Sequence, residues 1–260
     1  MSRHIPRKRF GQHFLCDADI IAAIVHAIRP QHTDNMVEIG PGLGALTRPL
    51  LAHLDHLHVV ELDRDIITRL TREHSPERVT IHAGDALAFN FTSLGENLRI
   101  VGNLPYNIST PLLFHLAEFS PNIVDMHFML QKEVVERMTA LPDSRDFGRL
   151  TVMLQYRFNM ETLFDVPPDA FDPPPKVNSA IVRMMPRKAD EMSAMDLGQL
   201  EKVVARAFSQ RRKTLRNTLG GMLSATEFER LGIDPGRRAE TLAVEDFIDI
   251  ANYLHGKESQ

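Results

Sequence analysis

The stretch "VEIGPGLGALT", residues 37–47, decides the fold class. An apolar run ends at Ile39, and Gly40, Gly42 and Gly44 follow at once. A helical pattern begins directly behind them. Glycines at such a junction permit a tight turn and let a ligand lie against bare backbone. The spacing is G-x-G-x-G, not the G-x-G-x-x-G of dinucleotide folds. A plain tight turn also explains glycine spacing, so the neighbouring segments have to decide.

Those segments repeat the pattern. "DNMVEIG" (34–40), "HLHVVELD" (56–63), "RVTIHAGDAL" (78–87), "LRIVGNLP" (98–105) and "IVDMHFMLQ" (123–131) read as buried strands. Each is short, rich in Val, Ile or Leu, and stopped by Gly, Asp or Pro. Helical patterns at Leu43–Leu54 and Arg64–Glu73 fall between them, and Ser109 with Pro111 marks the N-cap region of another. Strand alternating with helix predicts βαβ units and a parallel sheet covered on both faces. "METLFDVP" (160–167) and "NSAIVRMMP" (178–186) follow the helical "GRLTVMLQYRF" (148–158) and predict a closing hairpin at the sheet edge. From Lys188 the texture changes. "KADEMSAMD" is linker-like, and only helical periodicity follows, with Leu200, Val203, Val204, Ala207 and Phe208 in one stripe. The expected domains are an α/β domain over residues 1–187 and a small all-helical domain over 188–260.

The strand ends carry the chemistry. Glu61 closes the second strand, 21 positions after Gly40, where doubly wound folds place a carboxylate on ribose hydroxyls. Asp85 closes the third strand, where a carboxylate can accept from an adenine amine, and Asn103 closes the fourth. Singly, each acid is an ordinary helix cap or surface residue. In register with Gly40 and Gly42 they predict an adenosyl-ligand cleft. Pro41 removes a backbone donor that a pyrophosphate would use, and Glu38 repels phosphate but attracts an ammonium. These features favour S-adenosylmethionine over a nicotinamide cofactor, for which no hydride-partner site is visible.

The strand exit "GNLPY" (102–106) offers a grip on a planar amine. The Asn103 oxygen and the Leu104 carbonyl can accept both hydrogens of an exocyclic amine. Pro105 stiffens the exit, and Tyr106 offers a stacking face. A strand-to-helix loop with a turn Asn and a turn Pro is the plain alternative. Phe171, in "VPPDAFDPPPKVNSA" (166–180), reads either as a second ring against an extruded base or as a core-filling side chain. No metal is expected, since His53, His56 and His58 straddle a helix end and a strand.

Composition sets the outer limits. The chain has 260 residues with 43% hydrophobic content, ample for a sizeable core. It contains no run of about 18 apolar residues, so no membrane span is expected. "MSRHIPRKRF" (1–10) lacks an apolar h-region, so no secretory signal is expected, and no cleaved transit peptide is expected because a motif quoted below takes in Phe10. A single cysteine, Cys16, cannot form an internal disulfide and suits a cytoplasmic location. Net charge is −4, yet residues 1–16 and 202–219 together hold +10 with no acid, leaving −14 elsewhere. Two such basic segments, with Arg7, Lys8 and Arg9 in one and Arg211, Arg212, Lys213 and Arg216 in the other, predict a phosphate-binding footprint. Solvated basic faces are the alternative.

With these residues in hand, the chain resembles the small-subunit (16S) ribosomal RNA adenine dimethyltransferases. The matching pieces are "RKRFGQHFL" (7–15), "VEIGPGLGALT" (37–47), "VELDRD" (60–65), "GDAL" (84–87), "NLPYNIST" (103–110), "QKEVVERM" (131–138), "VPPDAFDPPPKVNSAIV" (166–182) and "FSQRRKTLRNTL" (208–219). They span both expected domains in family order. The resemblance implies a Rossmann-like class I methyltransferase fold. It also implies transfer of four methyl groups from S-adenosylmethionine to two adjacent adenosines in the terminal hairpin of 16S ribosomal RNA. The implied partner is an immature 30S subunit, and an assembly-checkpoint role accompanies the catalysis. Implied cofactor positions are His13, Leu15, Gly40, Glu61, Asp85 and Asn103, while Asn103 to Tyr106 with Phe171 would hold the target base. His13 departs from the family's usual Asn. The basic run from Arg211 to Arg216 would face ribosomal RNA, and a monomer is expected. Rival readings are an antibiotic-resistance methylase of 23S ribosomal RNA, which shares the cleft, and a mainly non-catalytic ribosome-assembly factor.

Overall fold

The computed structural model describes residues 13–258. In chain order the elements begin with β1 (Phe14–Leu15), α1 (Ala18–Ile28), β2 (Asn35–Ile39), α2 (Thr47–Leu51) and β3 (Leu57–Glu61). Next come α3 (Arg64–Glu73), β4 (Val79–Ala83), β5 (Leu98–Asn103), α4 (Ser109–Glu118) and β6 (Ile123–Gln131). Then follow α5 (Lys132–Met138), α6 (Arg149–Arg157), β7 (Phe158–Val166), β8 (Phe171–Asp172) and β9 (Ser179–Pro186). The last are α7 (Leu197–Ala207), α8 (Leu215–Leu219), α9 (Ala225–Arg230) and α10 (Val244–Glu258).

Packing divides the chain into two compact units. The first runs to Val135 and resumes over Met160–Pro186, and the second comprises Glu136–Asn159 and the chain from Arg187 onward. The single boundary expected at 187/188 therefore needs correction. Residues 136–159 leave the α/β unit because α6 buries Leu150, Val152, Met153 and Leu154 and packs with α7 and α10.

The first unit is built on a seven-stranded sheet of order β4-β3-β2-β5-β6-β9-β7. β2 to β6 run parallel, and β9 lies antiparallel to β6. Val37, Ile39, Val59, Val60, Ile100 and Val101 are all buried, as the continuous apolar strand runs demand. β2 has β3 on one side and β5 on the other, so the chain reverses its direction of sheet growth there. Crevices open at the carboxyl ends of strands at such a switch point. Gly102 lets β5 close up: a Cβ there would stand 2.6 Å from the Ile39 carbonyl oxygen.

Two local expectations change. The helix expected from Leu43 starts only at Thr47, because Gly42 and Gly44 take φ values of +55° and +82° that no right-handed helix accepts. Ser109 is the first residue of α4 rather than its cap, and its Oγ donates back to the Tyr106 carbonyl at 3.0 Å.

At the opposite end of the strands sits an ionic knot. Arg99 on β5 donates to both oxygens of Asp125 on β6 at 2.9 and 2.8 Å. It also donates to Asp34 at 2.5 Å and to the Ile28 carbonyl at the end of α1 at 2.6 Å. One guanidinium thus ties two strands, a loop and a helix end. In the second unit, α7 starts on an Asp196 cap and buries Leu200, Val203, Val204 and Ala207. The Phe208 and Phe247 rings stack at 5.6 Å, which fastens the end of α7 to α10.

Arg99→Ala strands two carboxylates with little water. The expected loss is about 3 kcal/mol of unfolding free energy, measured by urea denaturation at pH 7. A loss under about 0.5 kcal/mol would mean that the knot is a solvated surface cluster.

Candidate active site

The carboxyl ends of β2, β3, β4 and β5 open into one cavity of about 360 Å³. Its wall is formed by His13–Leu15, the end of β2 with the turn after it, Val60–Asp63, Ile66, Gly84–Leu87 and Asn103–Ile108. Gly40, Gly42, Glu61, Asp85, Asn103, Leu104, Pro105, Tyr106, His13 and Leu15 all border it. The parallel registers explain the convergence, since Glu38 faces Val101 across β2–β5 and Glu61 faces Ala83 across β3–β4.

Charge is the wall's main feature. It carries four carboxyl groups, those of Glu38, Glu61, Asp63 and Asp85, and no lysine or arginine among its described residues. Glu38 is 1% exposed and accepts a 2.6 Å hydrogen bond from Thr47 Oγ1. Burial pushes its pKa up to about 7; the Thr47 hydrogen bond opposes the rise and the nearby Glu61 adds to it. Glu61 is raised too, by burial, while the backbone N–H groups of Asp63 and Leu62 pull it back. Both of those N–H groups donate to its Oε1 at 2.8 Å. Asp85 is exposed toward the cavity, and its Oδ1 accepts from Leu87 N at 2.9 Å, which closes its own turn.

The strand exit after β5 is braced on every side. Asn103 Nδ2 donates to the His13 carbonyl at 3.2 Å. An amide that spends an N–H in this way keeps its oxygen as an acceptor. Leu104 is buried, and its N–H donates to the Met129 carbonyl at 3.2 Å. Tyr106 Oη lies 2.8 Å from Ser179 Oγ, and the Tyr106 ring stacks with His13 at a centroid distance of 5.9 Å. His13 Nδ1 lies 2.8 Å from the Pro173 carbonyl oxygen, so the donor nitrogen faces the proline-rich loop.

Phe171 does not border this cavity. It is 3% exposed, pairs with Leu15 across β1–β8, and lies in the core with Val166 and Ala170 rather than in the cavity wall. The ring beside Tyr106 is that of His13. Arg211, Arg212, Lys213 and Arg216 are exposed on the second unit. Arg211 donates to the Arg145 carbonyl and stands 3.8 Å from Glu240, so its charge is partly answered. Arg7, Lys8 and Arg9 lie outside the described residues.

Two wall residues, Phe14 and Leu62, and one residue behind the wall, Thr47, had no assigned role in the sequence. Phe14 packs within 3.3 Å of a Cβ built on Gly42, which is why the turn needs glycine there. Leu62 is 52% exposed into the cavity, an apolar platform beside Glu61. Thr47 holds Glu38. A large apolar residue directly after a strand-end acid is the signal for Leu62; Thr47 has none beyond its spacing. Among the described residues no group of three His, Cys, Asp or Glu is placed to hold a metal ion. His58 Nδ1 meets His82 Nε2 at 3.1 Å, and His56 bonds Thr80, so these rings satisfy one another along β3 and β4.

A parallel sheet with this switch point, a glycine turn and acids at successive strand ends defines a class I methyltransferase fold. A model of the family described as ribosomal RNA adenine dimethylase matches residues 3–256. The chain belongs to the ribosomal RNA adenine dimethylase family, and it is an enzyme of that class. It is 65% identical over 258 residues to the ribosomal RNA small subunit methyltransferase A of Chromobacterium violaceum, covering 99% of this chain and 98% of that one. To the protein of the same name in Thiobacillus denitrificans it is 66% identical over 251 residues, covering 96% and 98%. A solved dimethyladenosine transferase from Plasmodium falciparum superposes with TM-score 0.81 at 24% identity, covering 95% of this chain and 98% of that one. The 23S rRNA methyltransferase ErmE superposes with TM-score 0.72 at 24% identity, covering 93% and 99%. At that identity the two structures speak for the fold alone.

The raised acid makes a pH prediction. Glu38 holds its proton more tightly folded than unfolded, so its stabilising contribution is complete below pH 4.5 and is lost as pH rises through about 7. Glu38→Gln should therefore melt close to the parent at pH 5 and gain roughly 2–3 kcal/mol over it at pH 8. Parallel stability curves for the two proteins would show that Glu38 is already charged in the fold.

Proposed function

We propose that this enzyme transfers methyl groups from S-adenosylmethionine to N6 of two adjacent adenosines in the 3′-terminal hairpin of 16S ribosomal RNA. The particle it meets is an immature 30S subunit in the cytoplasm, and it acts as a monomer. The observation that carries the reading is the cavity wall itself: four acids, no basic side chain except His13 among its described residues, and the Asn103–Tyr106 exit at one end. The donor set fits a cationic nucleoside. A phosphorylated cofactor would meet repulsion on every side, whereas an ammonium and a sulfonium find carboxylates. Glu61 suits ribose hydroxyls, Asp85 an adenine amine, and Glu38 with the Gly40–Gly42 turn suits the amino-acid end.

When bound, S-adenosylmethionine supplies a methyl group made electrophilic by its sulfonium. The chain's own residues do the rest by positioning. The Asn103 oxygen and the Leu104 carbonyl accept the two N–H bonds of the adenine amine. That draws the nitrogen lone pair out of conjugation with the ring and aims it along one line. Such orientation is worth several kcal/mol of barrier. Tyr106 holds the extruded base by stacking, worth about 1–3 kcal/mol. No strong general base is needed, because the nitrogen becomes acidic once it has taken the methyl group and sheds its proton to water. The basic segment Arg211–Arg216 supplies sequence-independent attraction to the RNA backbone.

Tritiated S-adenosylmethionine should label adenosines in immature 30S particles. Labelling confined to naked 23S RNA would move the target to the large subunit. Asn103→Ala should keep particle binding while transfer falls by about 10²-fold or more; undiminished transfer would remove the amide from the mechanism. Changing Arg211, Arg212 and Lys213 together to Ala should weaken binding and lower the salt slope of log K by about 2. An unchanged slope would leave the basic run as a solvated face.

A further inference from the structure

The Tyr106 ring is fixed by contacts that the transfer chemistry itself does not require. Its hydroxyl meets Ser179 Oγ at 2.8 Å, its carbonyl accepts from Ser109 Oγ at 3.0 Å, and the His13 ring stacks beside it. Ser179 reaches the cavity end of the sheet for a topological reason. β6 runs parallel to β5, so both end at the crevice. β9 is antiparallel to β6, so it begins there, with Ser179 paired to Gln131. The first residue of β9 thus stands where the strand exit after Asn103 passes. Ser179 is fully buried, and its hydroxyl is hydrogen-bonded to that of Tyr106.

We propose that Ser179 is a positioning residue for the transfer reaction, its hydroxyl holding the Tyr106 ring at the tilt the target base requires. The proposal rests on the reading that Tyr106 stacks on that base. A tyrosine ring is set by two torsions, χ1 with its staggered wells and a broad χ2, and holding the hydroxyl selects one combination of them. Fixing the hydroxyl removes that freedom before the base arrives, so less ordering remains to be done on binding. A phenylalanine would offer the same stacking face without the anchor, so Tyr106→Phe is the mirror test of Ser179→Ala. Burial raises the Tyr106 pKa and the Ser179 hydrogen bond opposes this, so the phenol stays protonated and the pair works as a neutral hydrogen bond at neutral pH.

The test is a double-mutant cycle with immature 30S particles and S-adenosylmethionine. Ser179→Ala and Tyr106→Phe should each lower kcat by about five- to tenfold, the range of one lost hydrogen bond, with cofactor affinity unchanged. The double variant should fall no further than either single one, and Ser179→Thr should recover most of the activity. Additive losses, or a full-rate Ser179→Ala enzyme, would overturn the proposal. Tyr106→Ala separates the two readings. If it retains full transfer, base stacking by Tyr106 is wrong. If it is inactive while Ser179→Ala is at full rate, only the role of Ser179 is wrong. Melting curves of all variants guard against loss of the fold.

Discussion

Four carboxyl groups share one small cavity, and among the described residues of its wall no lysine or arginine answers them. Like charges so placed cost stability unless something offsets them. Within the chain the offsets are neutral hydrogen bonds: Thr47 on Glu38, two backbone N–H groups on one oxygen of Glu61, and one backbone N–H each on Asp63 and Asp85. Glu38 meets the cost partly by holding a proton up to about pH 7. A cationic ligand such as the proposed S-adenosylmethionine lowers the cost, because it supplies charge the wall lacks.

The rest of the first unit serves that arrangement. Parallel strands bring the acids to one edge, and the switch between β3 and β5 around β2 opens the crevice. The strap His13–Leu15 closes one side. It is pinned by pairing with β8, by the Phe14 ring against Gly42, and by the bond from Asn103 to the His13 carbonyl. That last bond joins the two halves of the site. The same amide that would grip the target nitrogen is oriented by a residue in the cofactor wall. Far below, Arg99 gathers Asp34 and Asp125 and ties the other ends of the strands, where a mistake in register would move every acid above.

Much of this was legible in the sequence, for identifiable reasons. Buried parallel strands are unbroken apolar runs, so their order along the chain could be read. Polar residues at strand ends have a known geometric meaning, so the positions of the acids Glu61 and Asp85 and the amide Asn103 around one cavity followed from the topology. What could not be read depended on contacts between distant segments. Phe171 looks the same whether it fills a core or walls a slot, and its pairing with Leu15 across β1–β8 is a contact no local pattern announces. Residues 136–159 are apolar enough for either unit, and the packing of α6 decides. Arg99 and its two acids read as surface charges, and Ser179 reads as an ordinary strand start. Each acquires meaning only from a partner far away in the chain.

The most direct measurement is a crystal structure of the enzyme with S-adenosylhomocysteine and adenosine bound together. The account predicts the ligand's amino group near Glu38, its ribose hydroxyls on Glu61, and the adenosine N6 within hydrogen-bonding reach of the Asn103 oxygen and the Leu104 carbonyl. A ligand seated away from the acids, or an Asn103 turned from the adenosine, would contradict it.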